Sequence, residues 1–144
     1  MGLASRSEVR DRNRAQALIL GFFLVVWGSL VVILAAAPDV YDQALRLPPD
    51  RVRLAEIAFL TALAAFIALL SIGVVRRWVF WLILVAFVFG VLRVPVAVLQ
   101  LTGVLPTSVP TWYVLLQGLI GLAQLAIAAA MVAGYRRSGV WGAF

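Results

Sequence analysis

Four long stretches of this sequence carry almost no charge. Residues 15–38, 57–75 and 112–135 contain no Asp, Glu, Lys or Arg, and residues 78–101 contain only Arg93. A helix that crosses about 30 Å of hydrocarbon at 1.5 Å per residue needs about 20 apolar residues. The sequence therefore predicts four transmembrane helices. Their expected positions are about residues 15–37, 50–75, 78–101 and 112–135.

The composition agrees with a membrane protein and excludes most soluble classes. Hydrophobic residues make up 65% of the chain, against roughly 45–50% in soluble domains. Mean hydropathy is +1.08 and only 12% of residues are charged. These values exclude a soluble enzyme, a disordered tail and a nucleic-acid-binding module, although the pI is about 11.3. We expect a single all-α transmembrane domain over residues 1–144, folded as an up-down four-helix bundle.

Missing residue types restrict the chemistry of any site. The chain has no Cys and no His, and all 12 basic residues are Arg. Thiol chemistry, iron–sulfur clusters, histidine-ligated haem or metal, and Schiff-base chemistry on Lys are therefore excluded. We expect no cofactor and no metal ion. Carboxylates, arginines, amides, hydroxyls and aromatic rings must carry any function.

The arginines predict the orientation in the membrane. Eight of them fall in the N-terminal segment 1–14, the turn between the second and third helices, and the tail 136–144; they are Arg6, Arg10, Arg12, Arg14, Arg76, Arg77, Arg136 and Arg137. Four spans place these three segments on one side. The positive-inside rule makes that side cytoplasmic, so we expect a multi-pass inner-membrane (plasma-membrane) protein with both termini inside. The first span is too long for a cleaved signal peptide, and we expect it to remain as a membrane helix.

The longest outer loop, about residues 39–50, carries its own structural signals. Residues 40–47 predict a short interfacial helix, and Pro48-Pro49-Asp50 is typical of the start of a helix, here the second span. Tyr41, Trp112 and Tyr113 are expected near the outer membrane interface, as amphipathic rings prefer.

Arg93 is the most informative residue because it interrupts an apolar span. It lies 15 residues into the third predicted helix, about 22 Å from the cytoplasmic interface. Pro95 removes a backbone hydrogen bond to Val91, so a kink is expected beside Arg93. Small and polar residues share its helical face (Ala86, Gly90, Ala97, Gln100), and helix four has a similar stripe (Gln117, Gly121, Gln124, Ala128).

These stripes, with Glu56 at the outer end of helix two, predict a polar cavity open to the outer leaflet. Its candidate residues are Glu56, Arg93, Gln100, Gln117 and Gln124, flanked by Thr61, Trp112 and Tyr113. One interpretation is structural: Glu56 neutralises Arg93 and the glutamines join helices through hydrogen bonds. A second is functional: intramembrane charges mark a site for a ligand with an anionic or polar head. A third is that Arg93 faces a partner subunit.

The layout resembles the DoxX-like family of small bacterial four-helix membrane proteins. The residues that carry the resemblance are Gly21-Phe22 and Gly28 in helix one, Glu56 in helix two, and Gly73-Val74-Val75-Arg76-Arg77 at the turn. The resemblance implies a membrane subunit or accessory protein linked to redox or quinone-related partners. It carries over no functional residue.

Three functions remain open from the sequence. The first is a small membrane protein that binds a lipophilic ligand, or serves as an accessory subunit, through Arg93. The second is a cofactor-free isomerase or cyclase acting on an isoprenoid or sterol-like substrate, with Glu56 as its catalytic acid or base. The third is a channel or transporter formed by a homo-oligomer. Membrane lipids are expected partners in each case, and nucleic acid in none.

Overall fold

The computed structural model describes residues 3–45, 48–71 and 77–140. These residues form six α-helices and no β-strand. The helices are α1 (Leu3–Ala36), α2 (Asp39–Leu45), α3 (Pro49–Ser71), α4 (Arg77–Gly90), α5 (Arg93–Leu101) and α6 (Thr111–Ser138). The predicted turn at residues 72–76, including Arg76, lies outside the described residues, as do Arg46 and Leu47.

Four helical segments are long and apolar enough to cross a membrane, which confirms the predicted number of spans. They are Gln16–Ala36, Asp50–Ser71, Arg77–Leu101 and Thr111–Arg137. The third span consists of α4 and α5 together. All four overlap the charge-free stretches of the sequence.

Helices α1 and α3 form one antiparallel pair. The indole Nε1 of Trp27 donates a hydrogen bond to the backbone oxygen of Leu60 at 3.1 Å. Four residues earlier on α1, the ring of Phe23 lies 5.2 Å from that of Phe66. Residues later in α1 therefore contact residues earlier in α3. The two helices must run in opposite directions.

The third span and α6 form a second antiparallel pair, held by the two predicted stripes of small residues. Gly90 leaves the space that the Gln124 side chain occupies, and a Cβ at Gly121 would lie 3.3 Å from the Cβ of Arg93. A Cβ at Gly118 would likewise lie 3.3 Å from that of Ala97. The two faces therefore approach closely, and the approach depends on glycine.

A large apolar cluster joins the two pairs. At its centre the rings of Phe22 on α1 and Phe87 on α4 meet edge to face at 5.1 Å. Buried residues of the cluster include Ile19, Phe80, Ile83, Phe87 and Met131. A smaller cluster forms at the other end of the bundle around Ile33, Val40, Tyr41 and Val52. We call that end, which carries α2 and residues 102–110, the loop end.

Helix α2 confirms the predicted short helix in the first loop, at Asp39–Leu45 instead of residues 40–47. Two hydrogen bonds fasten it. The Tyr41 hydroxyl donates to the backbone oxygen of Leu30 on α1 at 3.0 Å, and the Ser108 hydroxyl donates to that of Gln43 at 3.3 Å. The side chain of Tyr41 is buried, with 8% exposed. Helix α2 thus packs onto the loop end of the bundle.

Candidate functional site

The third span is interrupted immediately before Arg93. Helix α4 ends at Gly90 and α5 begins at Arg93, and Val91 and Leu92 form a turn between them. The amide of Val94 donates to the oxygen of Val91 at 3.0 Å, an i→i−3 bond that replaces the one Pro95 cannot make. The helix is therefore interrupted where the sequence predicts a kink, and the interruption places Arg93 on the first turn of a new helix segment.

A pocket of about 440 Å³ opens between the two helix pairs at the loop end. We call it the large pocket. One wall comes from α1 and α3, the other from α5 and α6, and α2 closes its outer side. It is lined by Val26, Leu30, Tyr41, Ala44, Ala55, Glu56, Phe59, Leu60, Arg93, Tyr113, Gln117 and Ile120. Its polar side chains therefore come from helices on both sides of the bundle.

Glu56 brings a buried carboxyl group to this pocket. Only 8% of its surface is exposed, and its Oε1 atom is buried without a hydrogen-bond partner. Within the described part of the chain, no ion pair or hydrogen bond joins it to Arg93, although both residues line the same pocket. The neutralising pair that the structural interpretation expects between these two side chains is absent from those residues.

Arg93 lies between the large pocket and a second one. The second, which we call the small pocket, has a volume of about 240 Å³ and is lined by α2, α5, α6 and residues 106–109. Ala44, Arg93, Tyr113 and Gln117 line both pockets. Four polar residues line only the small pocket: Gln43, Gln100, Thr107 and Ser108. A larger share of its lining side chains is therefore polar than in the large pocket. Arg93 therefore contributes to the lining of both pockets.

Two tyrosine side chains line the large pocket, Tyr41 from α2 and Tyr113 from α6. Their rings, Tyr41 and Tyr113, lie 6.4 Å apart in an edge-to-face arrangement. Burial raises the pKa of the Tyr41 hydroxyl far above its ordinary value of 10.0, and the nearby Tyr113 and Glu56 raise it further. Tyr41 is therefore protonated at neutral pH, as its hydrogen bond to Leu30 requires.

The structure brings together five of the eight residues predicted for the cavity. Glu56, Arg93, Tyr113 and Gln117 line the large pocket, and Gln100 lines the small one. The other three are absent from both linings. Gln124 packs against Gly90 with its Oε1 buried and unpaired; the Thr61 hydroxyl donates to its own helix at Ile57, 2.7 Å away; and Trp112 is 46% exposed.

Sequence reasoning missed two groups of lining residues. Tyr41 and Ala44 reach the site because α2 folds onto the bundle, and both face the same way since they are three residues apart on a helix. The apolar part of the large pocket, which includes Val26 and Leu60, also went unpredicted. Such residues are indistinguishable in sequence from those that face lipid, so only the packing of the helices reveals them.

The described residues offer no metal site, since no three His, Cys, Asp or Glu side chains come together there. The large pocket has the groups needed to bind a ligand. Arg93 offers a positive charge on one wall, Glu56 offers a carboxyl group on the other, and apolar side chains lie between them.

No protein-family model, curated protein or solved structure matches this chain. The resemblance to the DoxX-like family therefore stays a prediction.

Proposed function

We propose that this protein is a small membrane protein that binds a lipophilic molecule with an anionic or polar head in the large pocket, with Arg93 as the anchor for the head. The observation that carries the proposal is the arginine itself. Arg93 belongs to the third membrane-spanning segment and lines the large pocket. Within the described residues no carboxylate pairs with it. A charge is costly at that depth, so an unpaired one favours a ligand role.

The rest of the pocket suits the tail of such a molecule. Val26, Leu30, Phe59, Leu60 and Ile120 supply an apolar surface beside the charged groups. A volume of about 440 Å³ lies within the roughly 300–1,000 Å³ of small-molecule sites. Sites of this kind combine a mainly apolar lining with a few polar groups that orient the ligand, and Tyr113 and Gln117 are placed to do that here.

The depth of the polar groups agrees with a lipid-like ligand. Glu56 lies six residues from the start of its span at Asp50, and Arg93 lies eight residues from the end of its span at Leu101. At 1.5 Å per residue these are about 9 Å and 12 Å from the loop end. By the positive-inside rule that end faces outward, so the ligand would come from the outer leaflet of the membrane.

Binding of phosphatidic acid, followed by native mass spectrometry of the detergent-purified protein, tests the proposal. We expect Arg93→Gln to weaken binding by about tenfold or more, because a charge-assisted hydrogen bond contributes roughly 1.5–3 kcal/mol. Arg53→Gln is the matched control, since Arg53 is exposed on α3 and lines neither pocket. Equal binding by wild-type protein and Arg93→Gln, with both folded, would refute Arg93 as the anchor.

A further inference from the structure

The head group that the large pocket accepts can be inferred from Glu56. We propose, resting on the function above, that the ligand is a lipid whose head carries a phosphate and a primary ammonium group, the phosphate on Arg93 and the ammonium on Glu56. An aminophospholipid such as phosphatidylethanolamine has this chemistry. The basic side chain of Arg93 and the acidic side chain of Glu56 line one pocket from different helix pairs and do not pair with each other.

Glu56 has a buried oxygen atom for which the described residues supply no hydrogen-bond donor. Its Oε1 is buried without a partner, and a buried carboxylate is strongly destabilising unless it is paired or hydrogen-bonded. The hydroxyl of Tyr41 in the same pocket already donates to Leu30, and the indole of Trp27 on the adjoining helix donates to Leu60. A ligand that brings its own N–H donors would satisfy the carboxylate.

The presence of Glu56 also disfavours a purely anionic head. A phosphate monoester placed on Arg93 would bring a second negative charge into the pocket that Glu56 already lines, and like charges in a poorly solvated site repel strongly. A zwitterion places a positive charge beside the carboxylate instead. The large pocket therefore matches a zwitterionic head group, which has no net charge, better than a purely anionic one.

Phosphatidylethanolamine and phosphatidylcholine provide a matched pair of probes. They share the phosphate and the net charge, but only the primary ammonium has N–H groups to donate to Oε1. With acyl chains kept the same, native mass spectrometry of the full chain should show about tenfold tighter binding of phosphatidylethanolamine. Tighter binding of phosphatidylcholine would overturn the inference, because the aromatic rings of Tyr41, Phe59 and Tyr113 would then hold the head as a cage.

Two variants separate this inference from the proposed function. Glu56→Gln keeps the size of the side chain but removes its charge, so it should abolish the preference for phosphatidylethanolamine and leave phosphatidic acid bound as well or better. Arg93→Gln should weaken both lipids. If Glu56→Gln keeps the preference while Arg93→Gln weakens both, the head-group inference fails and the proposed function stands. If Arg93→Gln weakens neither, the proposed function fails.

A last comparison distinguishes a lipid from a soluble molecule with the same head. Glycerophosphoethanolamine lacks acyl chains, so it cannot use the apolar side chains of the large pocket. We expect it to bind at least about 100-fold more weakly than the lipid, since each buried methylene contributes about 0.8 kcal/mol. Equal affinity would overturn the assignment to a lipid. Circular dichroism and thermal unfolding of each variant would confirm that loss of binding is not loss of fold.

Discussion

Glu56 and Arg93 line one pocket from opposite helix pairs without pairing to each other in the described structure. Each is held by its own pair of helices: Glu56 by α3 against α1, and Arg93 by α5 against α6. Side chains of the large apolar cluster join the two pairs, and the large pocket is a gap between them at the loop end. The gap keeps the two charges apart and creates the space that we assign to a ligand.

A double-mutant cycle tests this separation directly. We expect the destabilisations of Glu56→Gln and Arg93→Gln to add within about 0.5 kcal/mol in lipid-free protein, because residues that share no contact usually behave additively. Chemical or thermal unfolding in detergent measures each term. An interaction energy of about 1–3 kcal/mol would show that the two groups form an ion pair, as the structural interpretation of the sequence expects.

Of the two glycines between α5 and α6, Gly121 has less space than Gly118 for an added Cβ. A Cβ there would lie 2.9 Å from Cγ2 of Val94 and 3.4 Å from the backbone oxygen of Gly90, so Gly121→Ala should lower the free energy of unfolding by about 1–3 kcal/mol. Gly28→Ala is the matched control, because nothing lies within 4 Å of a Cβ at that position. It should leave the melting temperature unchanged or raise it, since Ala favours helix. Equal losses at both sites would contradict the packing described.

Tyr41→Phe should loosen α2 while leaving the four spans in place. The substitution removes only the hydroxyl that donates to Leu30 and keeps the ring packed on Tyr113. We expect a loss of about 0.5–1.5 kcal/mol in stability. Hydrogen exchange should speed up in the amides of residues 39–45 and change little at Phe87, in the large apolar cluster. Faster exchange throughout the bundle would mean that Tyr41 supports the whole fold.

The raised pKa of Tyr41 predicts a loss of stability at alkaline pH. Burial favours the protonated hydroxyl in the folded protein. Tyr41 therefore contributes its full stabilisation of the folded state below its ordinary pKa of 10.0, and that stabilisation decreases as the pH rises above 10.0. Melting temperatures measured from pH 8 upward should therefore fall above about pH 10. Tyr41→Phe should show a smaller fall. An identical fall in both proteins would assign the effect to other groups.

Several elements follow from local sequence and could be predicted. The spans follow from charge-free runs long enough to cross a bilayer, and α2 and the start of α3 follow from the signals at residues 40–50. The break before Arg93 follows from the missing amide of Pro95. Gly90 and Gly121 belong to the predicted stripes of small and polar residues, and the structure places both of them, together with Gly118, between the third span and α6.

The site itself was only partly predictable. Glu56, Arg93, Tyr113 and Gln117 stand out because polar groups are rare in these spans, and all four line the large pocket. Gln124 carries the same signal, yet its side chain lies over Gly90 and lines neither pocket. Periodicity in the sequence shows which face of a helix a residue occupies. It does not show which residues of the neighbouring helix that side chain contacts.

Taken by itself, the sequence determined a four-span helical protein, because hydropathy and helix geometry act over one segment at a time and need no knowledge of the others. Tertiary structure alone decided that α1 pairs with α3, that Tyr41 is buried, and that Glu56 and Arg93 face a shared space without touching. These outcomes depend on the fit of side chains between segments distant in the chain. A charge in an apolar span signals that something must compensate it, and only the packed helices show whether the chain provides the partner.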